Sequence, residues 1–277
     1  MKFSGTKRLQ TLTMRLGCRG LVLAAALSSL SAMANGVLIA PGQPVAGQTQ
    51  LALADQFGQW AFGAPTATNP ITDPTGSFAN LNNNGNVFLL AGGSANTPFS
   101  RDITVPFGKP LFFPLLNYID VETVLYPPYC PPDVDCALNN LRPFVNNPKE
   151  LHVALDGTRY DLTALAASLR QTSNAYFYLN LTSDNLFGLP ADLYPSVLDG
   201  FYAAVLPLER GTHVLEFGGT WADGSTVSVT DTLNVVPEPP TSLLLLPGLL
   251  ALLAVKRREN LAASGLNRIK LASSPYR

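Results

Sequence analysis

Short hydrophobic runs separated by turn residues dominate the middle of the chain. The runs are rich in β-branched and aromatic side chains, which is typical of strands. They cover residues 87–91, 103–105, 111–118, 151–155, 176–181, 201–206, 213–217 and 226–235. Gly- and Pro-bearing segments lie between them. The pattern predicts a mainly β fold, an antiparallel β-sandwich with long loops and one or two short helices.

Three local details sharpen this prediction. Pro114 interrupts the third run, and Asp156-Gly157 is a hairpin turn signal after the fourth. The last run alternates apolar and polar residues, apart from one phase slip predicted near Thr230 and Asp231.

Two short helices are predicted. Leu53, Phe57 and Trp60 follow the spacing i, i+4, i+7 of a helix face. Asp161 caps a second helix that extends to Leu169. Residues 69–85, rich in Asn, Pro, Thr and Gly, are predicted to form a loop.

The charges of the 277-residue chain are segregated. Residues 35–236 contain seven basic and 17 acidic residues, whereas both termini are basic. An acidic surface repels phosphate backbones, so the composition argues against nucleic-acid binding. The central stretch is long enough to bury one large core.

The N-terminal residues 1–34 have the order of a secretory signal peptide. Basic residues precede the apolar segment 21–27, and Ala32-Met33-Ala34 gives a cleavage site before Asn35. Met14 is an alternative start, because Arg15 and Arg19 still supply positive charge. The apolar segment is too short for a membrane span. The expected partners are therefore the Sec translocon and signal peptidase.

A second ordered signal occupies the C-terminal part. Pro237-Glu238-Pro239 is followed by the uncharged residues 243–255 and then by Lys256-Arg257-Arg258. A helix over the uncharged residues reaches about 20 Å, against a hydrocarbon core of roughly 30 Å. It can still halt in the inner membrane where its flanks snorkel or the bilayer thins. The basic residues would stay cytoplasmic, leaving residues 35–236 outside.

These three parts resemble the PEP-CTERM sorting signal of Gram-negative bacteria. The resemblance implies that exosortase recognises the Pro-Glu-Pro motif, cleaves there, and passes the protein to the envelope or exopolysaccharide. It divides the chain into a signal peptide (1–34), an extracytoplasmic domain (35–236), the sorting signal (237–258) and a short basic tail (259–277). Members of the family usually end near the basic cluster, so the tail departs from the pattern.

A weaker resemblance covers much of residues 55–235. Gln59-Trp60-Ala61-Phe62, Asn69-Pro70 and residues 88–92 and 104–114 are similar to a group of exported bacterial proteins of unassigned function. This resemblance implies one extracytoplasmic domain and no particular activity.

Cys130 and Cys136 are the cysteines left after signal removal. In an oxidising periplasm they are predicted to form a disulfide, which would contribute roughly 2 kcal/mol through chain entropy. A metal site is disfavoured, because the spacing is not C-x-x-C and His152 and His213 are distant in sequence. Both histidines are interpreted as structural.

The segment around the cysteines offers two further candidates. Asp133 and Asp135, with Asp120 and Glu122 nearby, could supply oxygen ligands to Ca²⁺, but solvated loop carboxylates are the favoured interpretation. The second candidate consists of two tyrosines among prolines, which could form an exposed platform for a sugar ring. Packing of the rings against proline is the favoured interpretation. The residues of this candidate are Tyr126, Pro127, Pro128, Tyr129, Pro131 and Pro132.

No nucleophile-elbow, zinc-protease or phosphate-loop motif is present in the sequence. The leading hypothesis is a non-catalytic envelope or matrix protein with a structural or binding role, without cofactor or metal, and with polysaccharide as a candidate partner. The alternatives are a secreted hydrolase of polysaccharide with an Asp/Glu pair, and a membrane-anchored surface protein that is never processed.

Overall fold

A computed structural model describes residues 37–237. The predicted signal peptide, the cleavage site at Ala32, Ala34 and Asn35, the sorting signal after Pro237 and the tail lie outside the described residues. Within residues 37–237 no helix is long and apolar enough to cross a membrane.

The described chain is mainly β, as predicted, and its strands form two five-stranded sheets. The strands are β1 Phe88–Leu89, β2 Phe99–Pro106, β3 Leu111–Val121, β4 Glu150–Leu155, β5 Thr158–Asp161, β6 Arg170–Thr172, β7 Phe177–Leu181, β8 Asp192–Val205, β9 Gly211–Thr220 and β10 Thr226–Val236. The first sheet has the order β1-β3-β8-β6, with β7 also pairing with β8. The second has the order β2-β10-β9-β4-β5.

Both sheets are mixed, so the prediction of a purely antiparallel arrangement is wrong at two edges. β1 pairs with β3 in parallel, and β2 pairs with β10 in parallel. Antiparallel neighbours usually arise from hairpins between consecutive strands. Here β2 belongs to the second sheet, whereas β1 and β3 belong to the first. The chain therefore crosses between the sheets at this point instead of folding back.

The first sheet contributes to two hydrophobic cores. Along β8, Val197 and Phe201 belong to one core, whereas Leu198 and Tyr202 belong to the other, because successive side chains point to opposite faces. The first core contains residues of both sheets, and the ring of Phe113 on β3 lies 4.5 Å from that of Phe217 on β9. The second core joins the first sheet to the N-terminal helix.

Three α-helices are present among the described residues: α1 Gln50–Phe57, α2 Val134–Val145 and α3 Ala166–Leu169. The first confirms the predicted helix, and it continues as a π-helix over Gly58–Phe62. The third follows a 3₁₀ turn over Thr163–Leu165, so the predicted second helix is present only as these two short pieces. The prediction that Asp161 caps it is wrong, because the cap position is Leu162, which makes no side-chain cap hydrogen bond. Asp161 ends β5, and its Oδ1 accepts a hydrogen bond from the Thr163 backbone N–H. Helix α2 was not predicted.

The local turn signals are confirmed. Asp156 and Gly157 have φ values of 49° and 79° and join β4 to β5 in a tight hairpin, the geometry for which an Asp-Gly pair is suited. The register of β3 against β8 shifts between Pro114 and Leu116. Proline cannot donate a ladder hydrogen bond, so an irregularity at this position is expected.

The predicted phase slip in β10 is wrong. Val229, Asp231 and Leu233 are all buried at successive inward positions of this strand. Asp231 pairs in register with Arg101 of β2, and its Oδ1 lies 3.9 Å from Nη1 of that arginine. Arg101 also donates to the backbone oxygens of Asp73, Ala91 and Gly92 at 2.7–2.9 Å. Asp231 therefore occupies an inward position of β10 beside the buried guanidinium of Arg101.

Candidate functional site

A groove of about 380 Å³ lies where the end of β3 meets helix α2 and the loop between them. This aromatic groove is defined by Tyr118, Asp120, Glu122, Tyr126, Pro127, Pro128, Asn140, Leu141 and Phe144, together with Ile119 and Val121. Its volume falls within the range of roughly 300–1,000 Å³ that is typical of small-molecule sites.

The strand wall of the groove follows from β periodicity. Tyr118 and Asp120 are two residues apart in β3 and therefore lie on the same face of the strand, and Glu122 follows directly after the strand ends at Val121. Asn140 of α2 donates its side-chain N–H to Asp120 Oδ2 at 3.0 Å. The ring of Tyr118 lies 5.5 Å from the ring of Phe144. These two contacts join the helix to the strand along the groove.

The loop wall is held by the predicted disulfide. Cys130 and Cys136 are bonded, with their Cα atoms 5.5 Å apart, and they connect the loop to the first turn of α2. Asp133 caps that turn, because its Oδ1 accepts a hydrogen bond from the Cys136 backbone N–H at 3.1 Å. The Cys130 backbone N–H donates to Glu122 Oε2 at 2.8 Å. Both ends of the loop are therefore fixed to each other and to the helix.

The rings of the loop are largely exposed to solvent. The exposed fraction is 65% for Tyr126 and 49% for Tyr129. Val124, Leu125 and Phe144 are also largely exposed. A large patch of exposed apolar side chains on a protein surface often marks an interaction site. Exposed rings are compatible both with packing against proline and with a platform for a sugar ring, so the platform stays a prediction.

The groove is electrostatically negative at its strand wall. Glu122 is only 3% exposed, and its Oε1 has no hydrogen-bond partner among the described residues. Burial raises the pKa of Glu122, and the neighbouring Asp120 raises it further against the opposing hydrogen bond from Cys130. Burial, together with Glu122 and Asp133, raises the pKa of the nearby Tyr176 to about 12.

Each of the four carboxylates considered as a Ca²⁺ ligand has a partner in the protein. Asp120 accepts from Asn140, Asp133 caps α2, and Glu122 accepts from the Cys130 backbone. Asp135 pairs with Arg142 at 2.9 Å. Three of the four are not buried, whereas Glu122 is, so the expectation of solvated loop carboxylates is wrong for Glu122. Over residues 37–237 no three His, Cys, Asp or Glu side chains gather as a metal-binding group.

The two histidines lie in the second sheet. His213 on β9 contacts Asp156 Oδ2 at 2.8 Å through Nδ1 and the Glu209 backbone oxygen at 3.0 Å through Nε2. The hydrogen bond to Asp156 raises the pKa of His213. On β4, burial lowers the pKa of His152. Neither residue lines the aromatic groove. His213 thus connects β9 to the turn between β4 and β5, which agrees with the structural interpretation. The Nδ1 atom of His152 has no hydrogen-bond partner among the described residues, so its structural role stays a prediction.

Helix α2 was the missed element of the site. Its buried residues are Ala137, Leu138, Leu141 and Val145. This spacing is the i, i+1, i+4, i+8 stripe of an amphipathic helix, and it follows directly after Asp133 as cap. The spacing of these apolar residues is visible in the sequence. Pro143 lies inside the helix, however, and a proline at an interior position usually argues against a helix.

The predicted sorting motif begins where the described residues end. Pro237 is exposed and directly follows the last residue of β10. Glu238, Pro239 and the basic residues Lys256, Arg257 and Arg258 lie outside the described residues, so the motif stays a prediction.

Fold and site together define a mainly β protein that presents an exposed aromatic groove fixed by a disulfide. No protein-family model, curated protein or solved structure matches the chain.

Proposed function

We propose that this chain is an exported, exosortase-sorted protein of the cell envelope or extracellular matrix, whose extracytoplasmic domain binds polysaccharide through the aromatic groove. The sequence signals at both ends support export and sorting. The observation that carries the binding role is the exposure of Tyr126 and Phe144 beside the polar side chains of Asp120 and Asn140.

The chemistry of the groove matches that of a sugar. A pyranose ring presents C–H groups on its faces and hydroxyl groups around its edge. An exposed aromatic face supplies apolar contact at small conformational cost, and a carboxylate or amide supplies directed hydrogen bonds. Tyr126 and Phe144 provide the first kind of contact, and Asp120 and Asn140 the second.

We also infer that the two sheets face each other as a β-sandwich. Residues of both sheets share the first core, and the close approach of Phe113 to Phe217 supports this arrangement. Helix α2 packs against β3 and β8 of the first sheet. A rigid base of this kind would hold the groove in one shape, which lowers the entropy lost when a ligand binds.

A hydrolase that acts on polysaccharide is the second candidate, and Glu122 is the observation that favours it. A buried carboxyl group with a raised pKa beside a second carboxylate is the arrangement of a general acid and its partner. Release of reducing ends from a polysaccharide by the wild-type protein, abolished in Glu122→Gln, would establish this activity. Binding without release of reducing ends would support the non-catalytic role.

The binding role is tested with protein purified from cells that express the full chain. We expect wild-type protein to bind at least one bacterial polysaccharide on a glycan array. Tyr126→Ala and Phe144→Ala should each weaken binding about two- to twelvefold, because an aromatic contact contributes about 0.5–1.5 kcal/mol. Tyr178→Ala is the matched control, since Tyr178 is 51% exposed but lies on β7.

Two results would contradict the proposal. One is that the wild-type protein binds no polysaccharide. The other is that Tyr178→Ala weakens binding as much as Tyr126→Ala, because the groove would then have no special part in recognition.

A further inference from the structure

The charges that line the aromatic groove are all of one sign. Asp120 and Glu122 line it, and no lysine, arginine or histidine does. Arg142 of α2 is the nearest basic residue in sequence, but its guanidinium donates to Asp135 and Asn139. A cleft lined by one sign of charge concentrates counter-ions and repels ligands of the same sign.

Asp120 presents a free acceptor to this cleft. Its Oδ2 is fixed by the Asn140 side chain at 3.0 Å, whereas its Oδ1 has no hydrogen-bond partner among residues 37–237. The residue is half-buried, so a ligand can reach it. Asn140 is thus a positioning residue that holds the carboxylate while leaving one oxygen available.

Glu122 lies behind the surface of the groove. It is 3% exposed, one of its oxygens accepts from the Cys130 backbone, and the other has no partner within the described chain. Burial raises the pKa of Glu122, so its carboxyl group is less readily ionised than an exposed one. The negative charge that a ligand meets in the groove is therefore chiefly that of Asp120, and the unpaired oxygen of Glu122 is a further polar contact.

From these features we infer that the aromatic groove selects cationic amino sugars over neutral and acidic sugars. The inference rests on the proposed function, and it names the class of ligand. An ammonium group has three N–H donors and a positive charge, so it can make a charge-assisted hydrogen bond to Asp120 Oδ1. The exposed ring of Tyr126 can attract the same cation through its π face. A uronic acid would place another negative charge beside two carboxyl groups.

The inference is tested by titrating protein purified from cells that express the full chain. The ligands are three oligosaccharides of equal length and linkage. Their repeating units are glucosamine, N-acetylglucosamine and a uronic acid. We expect the glucosamine oligomer to bind at least about tenfold more tightly than the N-acetylated one. This ratio corresponds to the lower end of the free energy that a hydrogen bond to a charged group contributes. The uronic acid oligomer should bind most weakly.

Asp120→Asn removes the charge and keeps the shape, and it should abolish most of the preference for glucosamine. Asp102→Asn is the matched control, because it makes the same change of net charge at an exposed position of β2 outside the groove. Raised ionic strength should weaken the preference of the wild-type protein.

Three results would overturn the inference. Equal or tighter binding of the neutral or acidic oligomer would contradict the selectivity while leaving the proposed function intact. A loss of preference in Asp102→Asn as large as in Asp120→Asn would assign it to overall charge. Binding of none of the three oligomers, by a protein that binds no glycan on the array, would end both the inference and the proposed function.

Discussion

The buried pair of Arg101 and Asp231 makes the stability of the domain depend on pH, and the substitution Asp231→Asn isolates that dependence. The two residues are register partners on β2 and β10, and their side chains are 1% and 0% exposed. Asparagine has nearly the same shape as aspartate but does not ionise. The substitution therefore removes the titration and leaves the packing in place.

The magnitude follows from the burial of the carboxylate. No group of the described chain donates a hydrogen bond to Asp231, and burial raises its pKa from 3.8 to about 7 despite the nearby guanidinium. The native state then holds a proton that the unfolded chain has already lost. This contribution to stability is complete below pH 3.8 and is lost as the pH rises through about 7. A tenfold change in proton affinity is worth about 1.4 kcal/mol, so the shift corresponds to about 4 kcal/mol.

Urea unfolding from about pH 4 to about pH 8 measures this effect, with the fluorescence of the tryptophans Trp60 and Trp221 as the signal. We expect the unfolding free energy of Asp231→Asn, relative to wild type, to rise by about 4 kcal/mol across this range. Asp55 and Glu122 also have raised pKa values, but both proteins contain them, so their effects cancel.

The control for this experiment is Asp102→Asn, which neutralises an exposed carboxylate next to Arg101 on the same strand. This control should follow the wild-type pH profile. Parallel profiles for wild type and Asp231→Asn would refute the reasoning, because they would mean that Asp231 binds protons equally in the native and unfolded states.

Three further predictions concern the loop, the first sheet and the sorting signal. Replacing Cys130 and Cys136 by serine should lower the unfolding free energy by roughly 2 kcal/mol and weaken glycan binding; unchanged urea midpoints would contradict this. Gly200→Ala should destabilise the protein by about 1–3 kcal/mol in the same assay, because a Cβ atom there would lie 2.5 Å from Asn117 Cβ. Mass spectrometry of the mature protein should find a C-terminus near Pro239, and Glu238→Ala should abolish that cleavage; a wild-type protein that retains Arg277 would instead support the unprocessed, membrane-anchored alternative.

The secondary structure was predicted well where a local pattern is sufficient. Strand β7, helix α1 and the Asp156-Gly157 hairpin each depend on residues that are close in sequence, so the spacing of apolar and turn residues determines them. Strand β8 was predicted only at its C-terminal end, from residue 201, although it begins at Asp192. The part of β8 before residue 201 contains Pro195, Asp199 and Gly200, which interrupt the hydrophobic pattern of a strand.

The aromatic groove was predicted only in pieces. In the sequence the disulfide, the carboxylates and the Tyr-Pro loop are separate candidates, and the structure brings all three to one place beside α2. The exposure of Tyr126 depends on what lies around its loop, and a pattern of neighbouring residues does not contain that information. The sequence alone favours packing of the rings against proline, and only the structure adds that Tyr126 and Tyr129 are largely exposed.

The sequence by itself determined the mainly β character and the disulfide, because each of these depends on residue types at short spacing. The signals at the two termini rest on the same kind of pattern and stay predictions. Only the tertiary structure decided that two edge strands pair in parallel, that Asp231 faces Arg101 inside the core, and that Asp120 and Tyr126 share one groove. Such contacts join residues far apart in the chain. Their energies depend on burial and distance, which exist only once the chain has folded.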